Sequence, residues 1–221
     1  MADKEFTSGQ QLEDDMQKTE HTTRLGRILF RAVGGKSMAS STPVHSVQFY
    51  DSHEALIDRL CGVVSSGLLI GNSILMVCTR EHREQLIKTL RRLDIDVRSY
   101  ARKDRFSMVD ADEMLAKFMV NGSPDPEMFL ASVGQLLIES KKAARSKDQG
   151  LTVFGEMVAI LWEQGNKAGA LALEALWNDA MKERAFHLHC AYPNWLFSGV
   201  EAERMNICEV HSHILGLAPA A

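Results

Sequence analysis

The stretch HSVQFYDSHEALIDRLCGVVSSGLLIGNSILMVCT, residues 45–79, decides the fold. It opens with a short run of β-formers, HSVQFY, and then places Asp51 and Ser52, a helix-capping pair, ahead of a segment at helical period that lasts to about Gly67. NSILMVCT follows as a nearly unbroken apolar strand. A strand apolar on both faces belongs in the middle of a parallel sheet, where helices cover each side. Strand, helix, strand therefore reads as a crossover unit, and the rest of the chain repeats the alternation. REHREQLIKTLRRL is a helix with a charged outer face, DVRSYA a short strand, and FSMVDA a further strand leading into DEMLAKFM. PDPEMFLASVGQLLIESKKAARSK reads as one long amphipathic helix opened by Pro126. LTVFG, a two-helix segment, AFHLHCAY, a short WLF and a closing helix GVEAERMNICEVHSHIL complete the series. The expected class is α/β: a mainly parallel sheet flanked by helices on both faces.

Working outward, residues 1–43 read as a flexible leader and 44–217 as the folded domain. The leader is polar, ends in the Gly/Ser/Pro segment GGKSMASSTP, and holds one short basic amphipathic helix with Arg24, Arg27 and Arg31 beside Leu25, Ile28, Leu29 and Ala32. These arginines are the candidate contact to a partner protein. The net charge of −4 over 221 residues, with the basic run confined to the leader, argues against direct nucleic-acid binding by the body. The longest apolar run is broken by Gly71, Asn72 and Ser73, too short to span a bilayer. Cys61, Cys78, Cys190 and Cys208 sit mostly in apolar runs, and no signal-peptide pattern opens the sequence, so reduced thiols in a cytoplasm are expected.

Ligands of doubly wound sheets bind outside the carboxyl ends of the strands. That rule selects Tyr50 and Asp51, Cys78 and Thr79, Asp110 and Ala111, Gly155 and Glu156, and Tyr192 and Pro193. Each has a plainer reading: Asp51 and Asp110 as helix caps, Glu156 as a carboxylate favoured in a first helical turn. A phosphate loop needs G-x-x-x-x-G-K-[ST] between strand and helix. The nearest approach, FRAVGGKS at 30–37, lacks the first glycine. His187 and His189 share a strand face, and Cys208 and His211 share a face of the closing helix while His213 points elsewhere, but no paired ligand spacing appears, so no metal and no cofactor are expected. No G-x-S-x-G turn is present, and Cys190 lies mid-strand, where thiols are commonly inert.

The segment TVFGEMVAILWEQGNKAGALALEALWNDA, residues 152–180, gathers carboxylates and tryptophans in apolar surroundings. In its second helix Ala170, Leu173, Leu176, Trp177 and Ala180 make one face, with Glu174 flanking it. Trp177 is expected in the core. Gly165 permits the break between the helices, and Gly155 ends the strand where the backbone turns. A carboxylate beside aromatics at a strand end suits binding of a small molecule more than chemistry.

Residues 45–90, VDADEMLAKFMVNGSPD, FGEMVAILWEQGNKAGALALEALWN and HLHCAYP, in that order, resemble the MEDS domain, the methanogen/methylotroph, DcmR sensory domain. The resemblance runs from Val44 to about Leu215. Family-like positions are His45, Tyr50, Gly67, Gly71, Asp110, Ala111, Gly155, Glu156, Met157, Trp162, Gly165, Glu174, Trp177, Cys190, Tyr192 and Pro193. It implies a relative of the RecA/KaiC-type ATPase fold that has lost its phosphate loop and senses small organic molecules. Such domains resemble modules fused to helix-turn-helix or histidine-kinase parts. Here the leader holds no convincing helix-turn-helix and no kinase follows, so the output is expected to pass through a partner in transcriptional, two-component or sigma-factor regulation. The expectation is a non-enzymatic sensory module whose ligand lies between Tyr50, Asp110, Glu156, Trp162 and Tyr192. Two alternatives stay open: a degenerate ATPase using Asp110 for magnesium and Glu156 as base, and a ligand-free interaction regulator. Homo-oligomerisation is also left open.

Overall fold

The computed structural model describes residues 43–144 and 150–215. The leader helix and its arginines lie outside the described residues. Six strands form one parallel sheet: β1 His45–Tyr50, β2 Ser73–Cys78, β3 Phe106–Asp110, β6 Leu151–Gly155, β7 His187–Pro193 and β8 His213–Leu215, in the order β3-β2-β6-β7-β1-β8. A two-stranded antiparallel ribbon, β4 Met119–Val120 and β5 Ser123–Pro124, turns through Asn121 and Gly122, both at positive φ. β2 is buried at every residue, as its apolar run requires when both neighbours and both faces are occupied.

Helix α1, His53–Ile70, begins at Ser52, whose hydroxyl accepts the Ala55 N–H, and ends at Gly71 in the left-handed region (φ 98°). Helix α2, Arg80–Arg92, is capped by Thr79. Both press on one face of the sheet, where Leu56, Leu60, Val64, Leu86 and Leu90 meet Ile74, Met76 and Phe154. The opposite face carries α7, Met157–Glu163, and α8, Lys167–Glu183, joined through Gly165 at φ 78°. There Trp177 is fully buried, with Phe129 and Phe186 edge-on at ring centroids of 5.3 and 6.3 Å.

Three segments depart from expectation. Residues 97–101 form a short helix, α3 Val97–Ala101, not a strand, because the Asp96 carboxylate accepts the Arg98 and Ser99 N–H groups and starts a helical turn. The long helix opened by Pro126 is interrupted: α5 Pro126–Phe129 and α6 Gln135–Lys142 are separated by a π turn, Leu130–Gly134, where the Ser132 hydroxyl bonds the Met128 carbonyl. The closing helix stops early, as α9 Glu201–Glu209. Beyond it the Ser212 backbone N–H and hydroxyl both donate to the His45 carbonyl, and residues 213–215 run beside β1 as a sixth strand. WLF lies in a 3-10 turn, Asn194–Phe197, and between β3 and β4 stands α4, Ala111–Leu115.

Candidate functional site

The chain leaves β2 through α2 on one face of the sheet and leaves β6 through α7 on the other. β3 then lies to one side of this pair and β7 to the other, so the strand order reverses between β2 and β6. Backbones diverging at such a point leave a crevice between the strand ends, the usual ligand position in open α/β sheets. Glu156 stands at that reversal point. Its backbone N–H bonds the Val77 carbonyl at 3.0 Å, and its Oε2 accepts the Thr79 N–H at 2.7 Å, tying the two strand ends together. Oε1 accepts from His82 Nδ1, in the first turn of α2. His82 Nε2 in turn lies 2.6 Å from Nδ1 of His53, the first residue of α1.

The result is a line of polar groups, Glu156 to His82 to His53, running from a buried carboxylate (3% exposed) to a half-buried imidazole. Burial alone would lower the pKa of His82, but the hydrogen bond and charge of Glu156 outweigh it and leave it raised. The shift favours the imidazolium, in which both ring nitrogens donate, Nδ1 to Glu156 and Nε2 to His53 Nδ1. Aromatic walls stand beside the line. Tyr50 lies edge-on to His82 at 6.4 Å and to Trp195 at 5.6 Å, Trp195 lies 5.7 Å from His53, and Trp195 is 45% exposed. Burial and the Glu156 charge raise the Tyr50 hydroxyl above its ordinary range, so it stays a neutral donor. A Cβ on buried Gly155 would meet no heavy atom within 4 Å, but alternation along β6 points it with Val153 to the opposite face from the carboxylate. The nearby Cys78 thiol is pushed up to about 12, chiefly by burial, and is a poor nucleophile.

The five residues expected to share a pocket divide. Tyr50 and Glu156 meet on the α1/α2 face. Trp162 and Tyr192 meet each other on the opposite face, 6.2 Å apart and buried with Phe197, because Tyr192 alternates with Ala191 along β7 and points away from Tyr50. Asp110 caps α4, accepting from the Asp112 and Glu113 N–H groups. Asp51 takes a bond from Asn194 Nδ2, and Pro193 closes β7 in register with Tyr50. The sequence reading omitted His53, His82 and Trp195. The available signal was positional: a histidine three residues beyond the Thr79 cap, and another just after Ser52, project from the first turns of helices that begin at the sheet edge carrying Glu156.

Glu174 and Cys190 belong to a second polar cluster. Glu174 is fully buried rather than flanking, and its Oε1 accepts the Tyr192 hydroxyl at 2.7 Å. His45, Cys190 and His211 surround the same carboxylate. His189, on the other side of β7, bonds Ser46 and Gln48 and has its pKa lowered to about 3, first by burial, so it is a neutral core histidine. A separate open depression of about 440 Å³, lined by Arg91, Asp94, Ile95, Asp96, Val97 and Arg98, contains no residue of either cluster.

A six-stranded parallel sheet flanked by helices, with a polar cluster at its reversal point, defines an open α/β domain. The family model MEDS, methanogen/methylotroph, DcmR sensory domain, matches residues 44–212, and the chain belongs to this family of sensory domains. No curated protein matches the chain. Among the described residues no helix is long and apolar enough to cross a membrane.

Proposed function

We propose that this sensory domain binds a small, largely apolar organic molecule in the crevice between the ends of β2 and β6, without chemistry, and passes the signal to a regulatory protein. The observation that carries the reading is the His53–His82–Glu156 line at the reversal point. A ligand oxygen or halogen would be met by the outer end of this line at His53, while Tyr50 and Trp195 supply apolar walls. Family membership supports sensing, and the high pKa of Cys78 supports binding over nucleophilic catalysis. Because Glu156 holds both strand ends, a ligand that alters its bonds would shift α2 against β6. The domain would act in the cytoplasm on a kinase, transcription or sigma-factor regulator. Its parallel sheet without a phosphate loop is compatible with descent from a RecA/KaiC-like ATPase.

The experiment is a thermal-shift screen of one-carbon and small organic compounds beside nucleotides with magnesium. An organic hit abolished by His53→Ala supports the reading. Nucleotide binding with hydrolysis lost in Asp110→Asn would replace it with the ATPase reading, and silence in both panels would favour a pure interaction regulator.

A further inference from the structure

On the face of the sheet opposite the crevice, four side chains from four separate elements converge: His45 from β1, Glu174 from α8, Cys190 from β7, and His211 from the turn between α9 and β8. Their potential ligand atoms all lie within 4.8 Å of one another. His45 Nε2 is 3.4 Å from Glu174 Oε2 and 3.5 Å from Cys190 Sγ, Cys190 Sγ is 3.8 Å from Glu174 Oε2, and His211 Nε2 is 3.5 Å from Glu174 Oε1. A tetrahedron built from Zn–N, Zn–O and Zn–S bonds of ordinary length has edges of about 3.3 to 3.6 Å. These four separations, taken to the two oxygens of one carboxylate, fall at or just above that range, and the others lie within 4.8 Å, so the ligands would close in on the ion.

The outward bonds of the two imidazoles fix which nitrogen faces inward. His211 Nδ1 lies 2.7 Å from the Ile207 carbonyl, which can only accept, so Nδ1 carries the proton. His45 Nδ1 lies 2.9 Å from Asn178 Oδ1, and the Asn178 amide is oriented by its own donation to the Val210 carbonyl at 3.1 Å. Both rings thus donate outward from Nδ1 and aim Nε2 at a carboxylate, the arrangement by which neighbouring groups orient metal-binding histidines. The Tyr192 hydroxyl bonds the same carboxylate from outside.

An ion pair between His45 and Glu174 accounts for only part of this. It supplies one N–H toward the carboxylate and leaves His211 Nε2, buried and without a hydrogen-bond partner, aimed at an anion. A dication resolves the whole cluster, because one thiolate, one carboxylate and two neutral imidazoles around it make a neutral group that tolerates burial. We propose that His45 Nε2, His211 Nε2, Cys190 Sγ and a Glu174 carboxylate oxygen bind a divalent transition-metal ion, zinc by preference for this mixed N, S and O set, in a closed four-ligand structural site. Binding displaces the Cys190 thiol proton to solvent as the metal–sulfur bond forms. The ion would fasten the sheet's β1/β7 centre to α8 and to the turn that launches β8.

The test uses the full chain, purified without a polyhistidine tag. Elemental analysis is expected to find one zinc per chain. Extended X-ray absorption is expected to show a single sulfur among nitrogen and oxygen neighbours at ordinary zinc distances. Cobalt added to chelator-stripped protein is expected to give the intense visible bands of tetrahedral coordination and a thiolate charge-transfer band that is absent in Cys190→Ser and retained in Cys208→Ser. A folded chain that takes up neither zinc nor cobalt, and whose melting temperature ignores both chelator and zinc, overturns the proposal. So does bound metal with no sulfur neighbour, the mark of surface histidines; this measurement needs no variant to fold.

Discussion

Replacing Glu156 by glutamine keeps the side chain's shape and changes only its charge and donor pattern. One amide oxygen replaces two carboxylate oxygens, so the substituted side chain cannot accept from both the Thr79 N–H and His82 Nδ1–H. If its oxygen faces His82, its NH₂ meets the Thr79 N–H, donor against donor; in the reverse orientation the oxygen keeps the Thr79 N–H and the NH₂ donates to His82 Nδ1, which requires His82 to be neutral. A buried donor without an acceptor costs about 1–3 kcal/mol, and a bond to a charged group is worth about 1.5–3 kcal/mol where a neutral one is worth about 1. The second orientation avoids the orphaned donor, so the expected loss in Glu156→Gln is the charge contribution to two bonds, about 1–3 kcal/mol near neutral pH. In a domain of this size each kcal/mol lowers Tm by about 2–4 °C, so a fall on the order of 5 °C is expected. The effect carries a pH signature. The folded-state pKa of His82 is raised by Glu156, so the stability it contributes is fully present below the unfolded value of about 6.5 and is lost as pH rises through the folded value. Urea unfolding followed by circular dichroism should show a larger wild-type advantage at about pH 6 than at about pH 9. A loss below about 1 kcal/mol, equal at both pH values, would refute a buried, charged Glu156–His82 pair.

Asp110→Ala should cost about 1 kcal/mol through its helix cap while leaving ligand affinity unchanged, measured by urea titration and thermal shift. Trp177→Ala should cost about 3–5 kcal/mol because the ring is fully enclosed between Phe129 and Phe186, read as a lower urea midpoint at constant slope. His189 is neutral when folded, with its pKa near 3, so unfolding takes up a proton below about pH 6.5 and stability should fall with acidification at up to about 1.4 kcal/mol per pH unit from this group. His189→Gln should flatten that part of the profile. Iodoacetamide on the folded chain should label Cys208, the partly exposed thiol, and spare Cys61, Cys78 and Cys190 until denaturant is added, as peptide mass spectrometry would show.

The sheet was legible because its signal is local. NSILMVCT can only be a strand covered on both sides, and Ser52 and Gly165 mark helix ends by chemistry that acts within a few residues, whereas α1 runs past the expected stop at Gly67 to end at Gly71. Glu156 was legible for the same reason, since the end of β6 fixes its place at the sheet edge. What stayed hidden depends on facing. Whether Tyr192 points with Tyr50 or against it depends on register across β7 and β1, where a shift of one residue reverses every side chain. DVRSYA reads as a strand by propensity, and one aspartate hydrogen-bonding its own backbone overrides that. His45, Glu174, Cys190 and His211 are scattered from the first strand to the turn before the last, so no spacing rule finds them; four elements had to be folded before their ligand atoms met.

The proposed ligand of this domain is a small organic molecule bound beside Glu156 and His53. The most direct measurement is the thermal shift of wild type and His53→Ala against one-carbon and small organic compounds, with nucleotides alongside. A ligand at about 100 times its dissociation constant stabilises the folded state by about 2.7 kcal/mol. The account predicts a rise in Tm with an organic compound that disappears in His53→Ala. A rise of equal size in the variant, or a response to nucleotide alone, would contradict it.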